Sequence, residues 1–503
     1  MTRLCKWAGT TGLHSSVISS VLKVSLLGER FGGRPVKWGM SKHYSLRPHR
    51  LDLEFRPATK ASAHGGQLAP IALLEQFGIR RRIHQHPALD PRADKQHGFD
   101  PEVYVVSFLL AFTSGGVALA DVERLNEDEP LKAFLGVAKF PDQSALGEWL
   151  RALGEPGWLA LRQIAREFVA WTLPQVKAER LLQAGRLESF FDDTQIEVSG
   201  KWFEGAAINY EGNWALSWQT LWVGPLVADQ VLGATSVTKD SPASDAAGRD
   251  VSNQLPGLLT ANRALWEKYT SYLYADSASS AGAYLTAMAA AFDGWSVSYN
   301  KWTDPLERKA AELPAWAWSA VEPIRWRDGR DHEAQYAWFR HEPSGCARAQ
   351  VFAVVRHRAA GELLWRHAFV TCEERDGTAQ AAFERHRLKG DWERRLSELL
   401  SDLDLHHPPC QDLLANRSFY TLATLAYNVL QALQLIHLPA EQTPRRIRTL
   451  IRHLLLVPVE LVRHARRRKA CLYVPAGWVA WWRGLLNELL PAWRQLGALA
   501  PSG

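Results

Sequence analysis

Leu187-Glu188-Ser189-Phe190-Phe191-Asp192-Asp193-Thr194 decides the fold of this chain. An apolar run that ends in acid is the pattern of a strand where it leaves a core. A second run, Tyr272-Leu273-Tyr274-Ala275, ends the same way in Asp276-Ser277-Ala278-Ser279-Ser280. A third acid, Glu393, stands in the helical stretch Trp392-Glu393-Arg394-Arg395-Leu396. Carboxylates at strand ends, joined by one from a helix, can hold two divalent cations about 3.5–4 Å apart. Such a pair activates a water or hydroxyl on one side of a phosphodiester and stabilises the leaving oxygen on the other. Taken singly, each acid is more simply an ordinary strand-ending Asp or a solvated Glu.

The texture around these acids predicts an α/β fold. Residues 67–180 read as helices, with apolar stretches at Ala69–Leu74 and Val103–Phe112. Pro141–Leu150 opens like a short recognition helix, a pattern that amphipathic packing also produces. From about Arg186 the chain turns to strands: Leu187–Phe191, Gln195–Val198, Ala215–Val223 and Gln230–Val237, with turn chemistry at Glu211-Gly212-Asn213. Strand Tyr272–Ala275 leads into the Ala-rich helix Ala281–Phe292 and then strand Trp295–Tyr299. Several strands followed by strand–helix alternation fit a mixed sheet covered by helices. Residues 301–384 interrupt that pattern, with strand-like runs Ala349–Arg356 and Leu363–Thr371 that predict a small, separate antiparallel insert. Its Trp302, Trp316, Trp318, Trp326, Trp338 and Trp365 are expected to fill the insert's core. Aromatic faces beside cations can also stack unpaired bases.

Composition narrows the class. With 503 residues, 47% hydrophobic and 22% charged, the chain is globular and long enough for two or three domains. Net charge is only +6, but residues 1–60 hold 11 Lys/Arg against 3 Asp/Glu, and residues 441–503 repeat that balance. Basic ends around an acidic middle suit a polyanion held by the flanks and cut at a carboxylate site. In the tail, Arg463-His464-Ala465-Arg466-Arg467-Arg468-Lys469 could neutralise phosphates or form a solvated basic face.

Five widely spaced cysteines without a C-x-x-C pair argue against a disulfide framework or zinc finger, and for a reducing cytosol. His406-His407-Pro408-Pro409-Cys410 reads as a loop. Residues 7–27 are mildly apolar without a clear cleavage site, an extension before the domain proper, and Met40 is a plausible internal start. Ser418–Leu438 has no charged residue and is long enough to span a bilayer. Its Tyr420, Thr421, Thr424, Asn428, Gln431 and Gln434 predict a buried helix instead.

The chain resembles the DDE transposases of bacterial insertion sequences, most closely the insertion-sequence group numbered thirteen-eighty. The resemblance lies in Phe191-Asp192-Asp193-Thr194-Gln195 with Gly200, in Tyr274-Ala275-Asp276-Ser277, and in Trp392–Leu399. Leu414-Ala415-Asn416-Arg417-Ser418-Phe419 and Leu425-Ala426-Tyr427-Asn428-Val429-Leu430 complete it, over roughly residues 65 to 475. The acids lie 84 and 117 residues apart, and the longer gap admits the family's inserted β-rich segment.

The resemblance implies an RNase H-like catalytic domain in two parts, 181–300 and 385–440, interrupted by a β-strand insertion over 301–384. It also implies a basic extension (1–64), a helical DNA-binding domain (65–180) and a basic helical C-terminal region (441–503). The implied activity is cleavage at the ends of the element and joining of the 3′-OH ends to target DNA. Asp192, Asp276 and Glu393 would hold two Mg²⁺ ions, with Mn²⁺ able to substitute. Asp193 is the alternative to Asp192.

Implied partners are double-stranded DNA (inverted-repeat ends and target) and a second copy in the DNA complex. The implied location is the cytoplasm, on the nucleoid when bound, with no membrane. In related transposases a Tyr and an Arg precede the glutamate by seven and four residues and a Lys follows it by seven. Here those positions are His386, Lys389 and Leu400. Lys389 still offers a cation to phosphate and Leu400 does not, leaving Arg394 or Arg395 to substitute; Arg466, Arg467 and Arg468 are further candidates. A degenerate DNA-binding copy and a structure-specific nuclease are the competing readings.

Overall fold

In the computed structural model the run from Leu187 continues without a break into one strand, Leu187–Glu197. Described are residues 58–503 except 210, 235–253, 300–303, 327–328, 344–345, 347, 373–376, 440–445, 465–466 and 498–503. Residues 7–27 and Met40 therefore lie outside the described residues.

The strands, in chain order, are β1 (Ala61–Ser62), β2 (Leu187–Glu197), β3 (Ala207–Ile208), β4 (Trp214–Val223), β5 (Leu226–Ala234), β6 (Ser271–Ala275) and β7 (Gly294–Tyr299). They continue with β8 (Glu322–Arg325), β9 (Asp331–His341), β10 (Gln350–Ala359), β11 (Arg366–Cys372), β12 (Val459–His464) and β13 (Arg467–Leu472). The main sheet has ten strands in the order β3-β4-β2-β6-β7-β11-β10-β9-β8, with β5 also paired to β4. β2, β4 and β5 form an antiparallel meander, whereas β2, β6 and β7 run parallel.

Apolar side chains line both faces of the central strands, as in sheets covered on both sides. Phe190, Trp222 and Tyr274 join one core with Phe108, Leu150 and Leu422 from the helices Pro101–Thr113, Gln143–Thr172 and Leu413–Ala432. Phe191, Leu273 and Val297 join a second with Leu258 and Met288 from the helices Leu255–Asn262 and Gly282–Ala291. The fold is mixed α/β, with helices packed on a mixed sheet.

Three expectations change. Residues 301–384 supply β8 to β11, but these strands do not form a separate sheet. β11 pairs antiparallel with β7, from Phe369↔Tyr299 to Cys372↔Ser296, so the insert extends the central sheet edge to edge. The open edge of β7 supplies the backbone donors and acceptors that a free-standing insert would lack. Pro141–Leu150 is the start of the 30-residue helix Gln143–Thr172, capped by the Asp142 carboxylate, which accepts from the Ala145 amide at 2.9 Å. Its Leu146, Trp149 and Leu150 are buried, whereas Gln143, Ser144 and Glu148 on the other face are exposed. Gly154 breaks the helical geometry with φ 54°, two residues before Pro156. The C-terminal region is only partly helical: β12 and β13 form a hairpin that pairs with β1, Ala61↔Glu460 and Ser62↔Val459.

The Leu413–Ala432 helix is buried along its length, and its polar side chains bind neighbours. Asn428 Oδ1 accepts from the Val227 amide at 3.0 Å while its Nδ2 donates to the Val227 carbonyl at 2.9 Å. Asn416 does the same for Cys410, accepting from its amide at 3.2 Å and donating to its carbonyl at 2.7 Å. Among the described residues no helix is long and apolar enough to cross a membrane.

Candidate active site

The site is built on two successive rows of side chains across the sheet. In the first row, pairing places Phe190 of β2 beside Trp222 of β4 and Tyr274 of β6, and Tyr274 beside Ser296 of β7. The helix Lys389–Asp402 lies on this row. Its Trp392 stacks on Phe190 with ring centroids 4.0 Å apart and meets Trp222 edge-on at 5.5 Å. Ahead of it, buried His386 places Nδ1 2.9 Å from Ser296 Oγ. Aromatic area buried in this way is worth several kcal/mol in a core, so the helix is fixed in rotation as well as position.

The second row carries the acids. The last β2–β6 pair is Phe191↔Ala275, so Asp192 and Asp276 are the next neighbours in register, where adjacent strands lie about 4.8 Å apart. Thr194 Oγ1 donates to Asp192 Oδ2 at 2.9 Å, and the Ala278 amide donates to Asp276 Oδ1 at 3.1 Å. Lys389 precedes Trp392 by three residues, one helical turn, and therefore reaches over this row. Its Nζ is 3.0 Å from Asp192 Oδ1 and 3.7 Å from Glu393 Oε1. The Glu393 side chain is 69% exposed.

Charge couples the four groups. Burial, and then the neighbouring Asp192 charge, push the Asp276 carboxyl up to about 6 against the pull of Lys389. Burial works to lower the Lys389 ammonium's pKa, but Asp192, Asp276 and Glu393 outweigh it and hold it above its ordinary value. Carboxylate oxygens are hard donors of the kind that divalent cations take, and here the Lys389 ammonium lies against those of Asp192 and Glu393. Among the described residues no three His, Cys, Asp or Glu side chains are placed to hold a metal ion.

Asp193 takes the other face of β2. Ser217 Oγ donates to its Oδ1, and Gln195 Nε2 does so at 3.3 Å. The other expected residues separate by role. Arg394 pairs with Asp391 on the exposed side of its helix, and Arg395 lies over the Trp392 ring at 4.7 Å. Leu400 is buried in the core and carries no cation to the site. Arg466 lies outside the described residues, as do the side chains of Arg467 and Arg468, whose backbones belong to β13.

Within the insert, Trp318 is buried and Trp326 stacks on His357 at 3.5 Å, while Trp316 is 86% exposed. Trp302 lies outside the described residues. In the His406–Cys410 loop, Cys410 Sγ lies 3.4 Å from Asn416 Oδ1. Sequence reasoning missed the anchoring roles of Trp392 and His386 and the link from Lys389 to Asp192. The signal available was the spacing of Lys389, Trp392 and Glu393, which puts a cation and an acid one turn apart beside a buried aromatic.

Residues 49–490 match the sequence model of the family described as "Transposase DDE domain group 1". No curated protein matches the chain. With a family match over most of its length, on a mixed α/β fold, the chain belongs to the group 1 DDE transposase domains.

Proposed function

We propose that this protein is the transposase of a bacterial insertion sequence, with Asp192, Asp276 and Glu393 as its catalytic acids and an RNase H-like sheet as its platform. The observation that carries the reading is the adjacency of Asp192, within β2, and Asp276, just past the end of the parallel strand β6, with the helix bearing Glu393 anchored over the same face. The order β5-β4-β2-β6-β7, with the first three antiparallel and the last three parallel, supports the platform assignment.

The chemistry is two in-line displacements at phosphorus. In the first, a water oxygen bonds to phosphorus as the P–O3′ bond at the element end breaks, leaving a 3′-OH and a 5′-phosphate. In the second, that 3′-OH gives up its proton, attacks a target phosphodiester and displaces the target's 3′ oxygen. Asp192, Asp276 and Glu393 would hold two Mg²⁺ ions, with Mn²⁺ able to substitute. When bound, divalent ions stabilise charge on the phosphate and lower the pKa of the attacking hydroxyl.

Thr194 and the Ala278 amide orient the two aspartates by hydrogen bonding. The stacked Trp392 keeps the third acid over them. Arg394 and Arg395 belong to the same helix and, with the Arg466–Arg468 cluster, would meet DNA phosphates. A homodimer on DNA would bring both inverted-repeat ends to one target, in the cytoplasm on the nucleoid.

The test uses the full chain with duplexes carrying the repeats that flank its gene. The expected result is a nick at the repeat end with Mg²⁺ or Mn²⁺, none in EDTA, and nicking by Asp192→Asn slowed by about 10²–10³-fold. Binding without cleavage under any divalent ion would mark a DNA-binding relic. Cleavage without joining or preference for ends would mark a structure-specific nuclease.

A further inference from the structure

Lys389 is half of an ion pair that a metal site has no need of. Its side chain is 14% exposed, and Asp192, its closest partner, is 23% exposed. The ammonium is 3.0 Å from Asp192 Oδ1 and 3.7 Å from Glu393 Oε1, and it offsets the charge of Asp276. Asp192 and Asp276, held side by side in register and largely buried, repel one another when ionised. A cation among them removes that repulsion. The same ammonium takes up carboxylate oxygens of Asp192 and Glu393 that a divalent cation would use.

We propose that Lys389 is an internal counter-ion that holds the three carboxylates together in the metal-free protein and competes with divalent cations for them. This rests on the carboxylate-site reading above. Entry of a divalent ion then requires the ammonium to swing away from Asp192, and the long, flexible lysine stem permits that movement. Lys389 is thus a positioning residue whose removal acts in opposite directions on two quantities. It leaves the metal-free protein with uncompensated carboxylates, and it frees the site for metal.

The test is Mn²⁺ titration of the full chain without DNA, read by loss of the free-ion paramagnetic resonance signal and by calorimetry, with thermal melting in EDTA alongside. Lys389→Met is expected to melt at lower temperature in EDTA and yet bind Mn²⁺ roughly tenfold more tightly than wild type. Lys389→Arg, which keeps the charge, is expected to bind as weakly as wild type. If Lys389→Met folds poorly, Lys389→Gln carries the same expectation. Unchanged or weaker Mn²⁺ binding in the neutral variants, with binding that Asp192→Asn abolishes, overturns the counter-ion role and leaves the carboxylate site standing. Absence of Asp192-dependent Mn²⁺ binding in every variant overturns the site reading itself, and this proposal with it.

Discussion

Phe190 and Trp392 stack with ring centroids 4.0 Å apart, although one belongs to the central strand and the other to a helix some two hundred residues later. Because Phe190 and Asp192 lie on the same face of β2, and Glu393 follows Trp392, this contact carries the third acid to the first two. Trp392→Ala should destabilise the protein by about 3–5 kcal/mol in chemical denaturation and cut DNA cleavage even where the protein remains folded. Trp392→Phe should retain most of both. Full activity from a folded Trp392→Ala variant would show that the helix needs no such anchor.

The two adjacent aspartates should behave unequally. Asp192→Asn keeps the shape but removes the charge that faces Lys389, and should lower strand cleavage by about 10²–10³-fold. Asp193→Asn disturbs contacts with Ser217 and Gln195 on the opposite face. Its loss should stay within about tenfold, the kinetic equivalent of a weakened hydrogen bond. Single-turnover cleavage of an end-containing duplex compares them, and the reverse ranking would move the ligand to Asp193.

Asn428 should prove architectural. Its amide closes both backbone groups of Val227 inside the core, so Asn428→Ala leaves a buried N–H and C=O unpaired. A loss of about 2–4 kcal/mol of stability follows, measurable in urea. The rate constant for cleavage per folded molecule should be nearly unchanged. A stable variant with impaired chemistry would contradict this role.

A pH effect belongs to Asp128, which joins β1 to the helical layer. Burial works to raise its carboxyl, but hydrogen bonds with His64 and Ser62 and from the Leu131 amide outweigh it and set it below the usual value. A folded-state pKa depressed below the unfolded one contributes stability that is present above the unfolded pKa, near 4. That contribution is lost as pH falls through the folded value. Asp128→Asn should therefore lower the melting temperature at pH 6 to 7, and the difference from wild type should shrink below about pH 4. A difference that grows in acid would show the opposite shift.

Much of the arrangement around the candidate acids could be read from the chain. Apolar runs leading into Asp192 and Asp276 marked two parallel strands because burial on both faces demands continuous hydrophobic sequence, although β6 ends before Asp276 whereas β2 continues past Asp192 to Glu197. The polar residues of Ser418–Leu438 marked a buried helix, and Asn428 and Thr421 meet partners on β5. The separate insert and the helical tail were misread for a common reason. Strand-forming sequence does not state which edge it will pair with, and β11 found β7 while β12 found β1.

What the sequence by itself determined is the inventory: a mixed sheet with helices, three acids in order, and a cation one turn before the last of them. Only the tertiary structure puts Asp192, and not Asp193, on the face of β2 covered by Lys389 and Trp392, because side chains alternate and one residue of register exchanges the two. It also decided that Lys389 lies against Asp192 and Glu393. That contact depends on the stacking of Trp392 on Phe190, a long-range packing choice that no local pattern in the chain records.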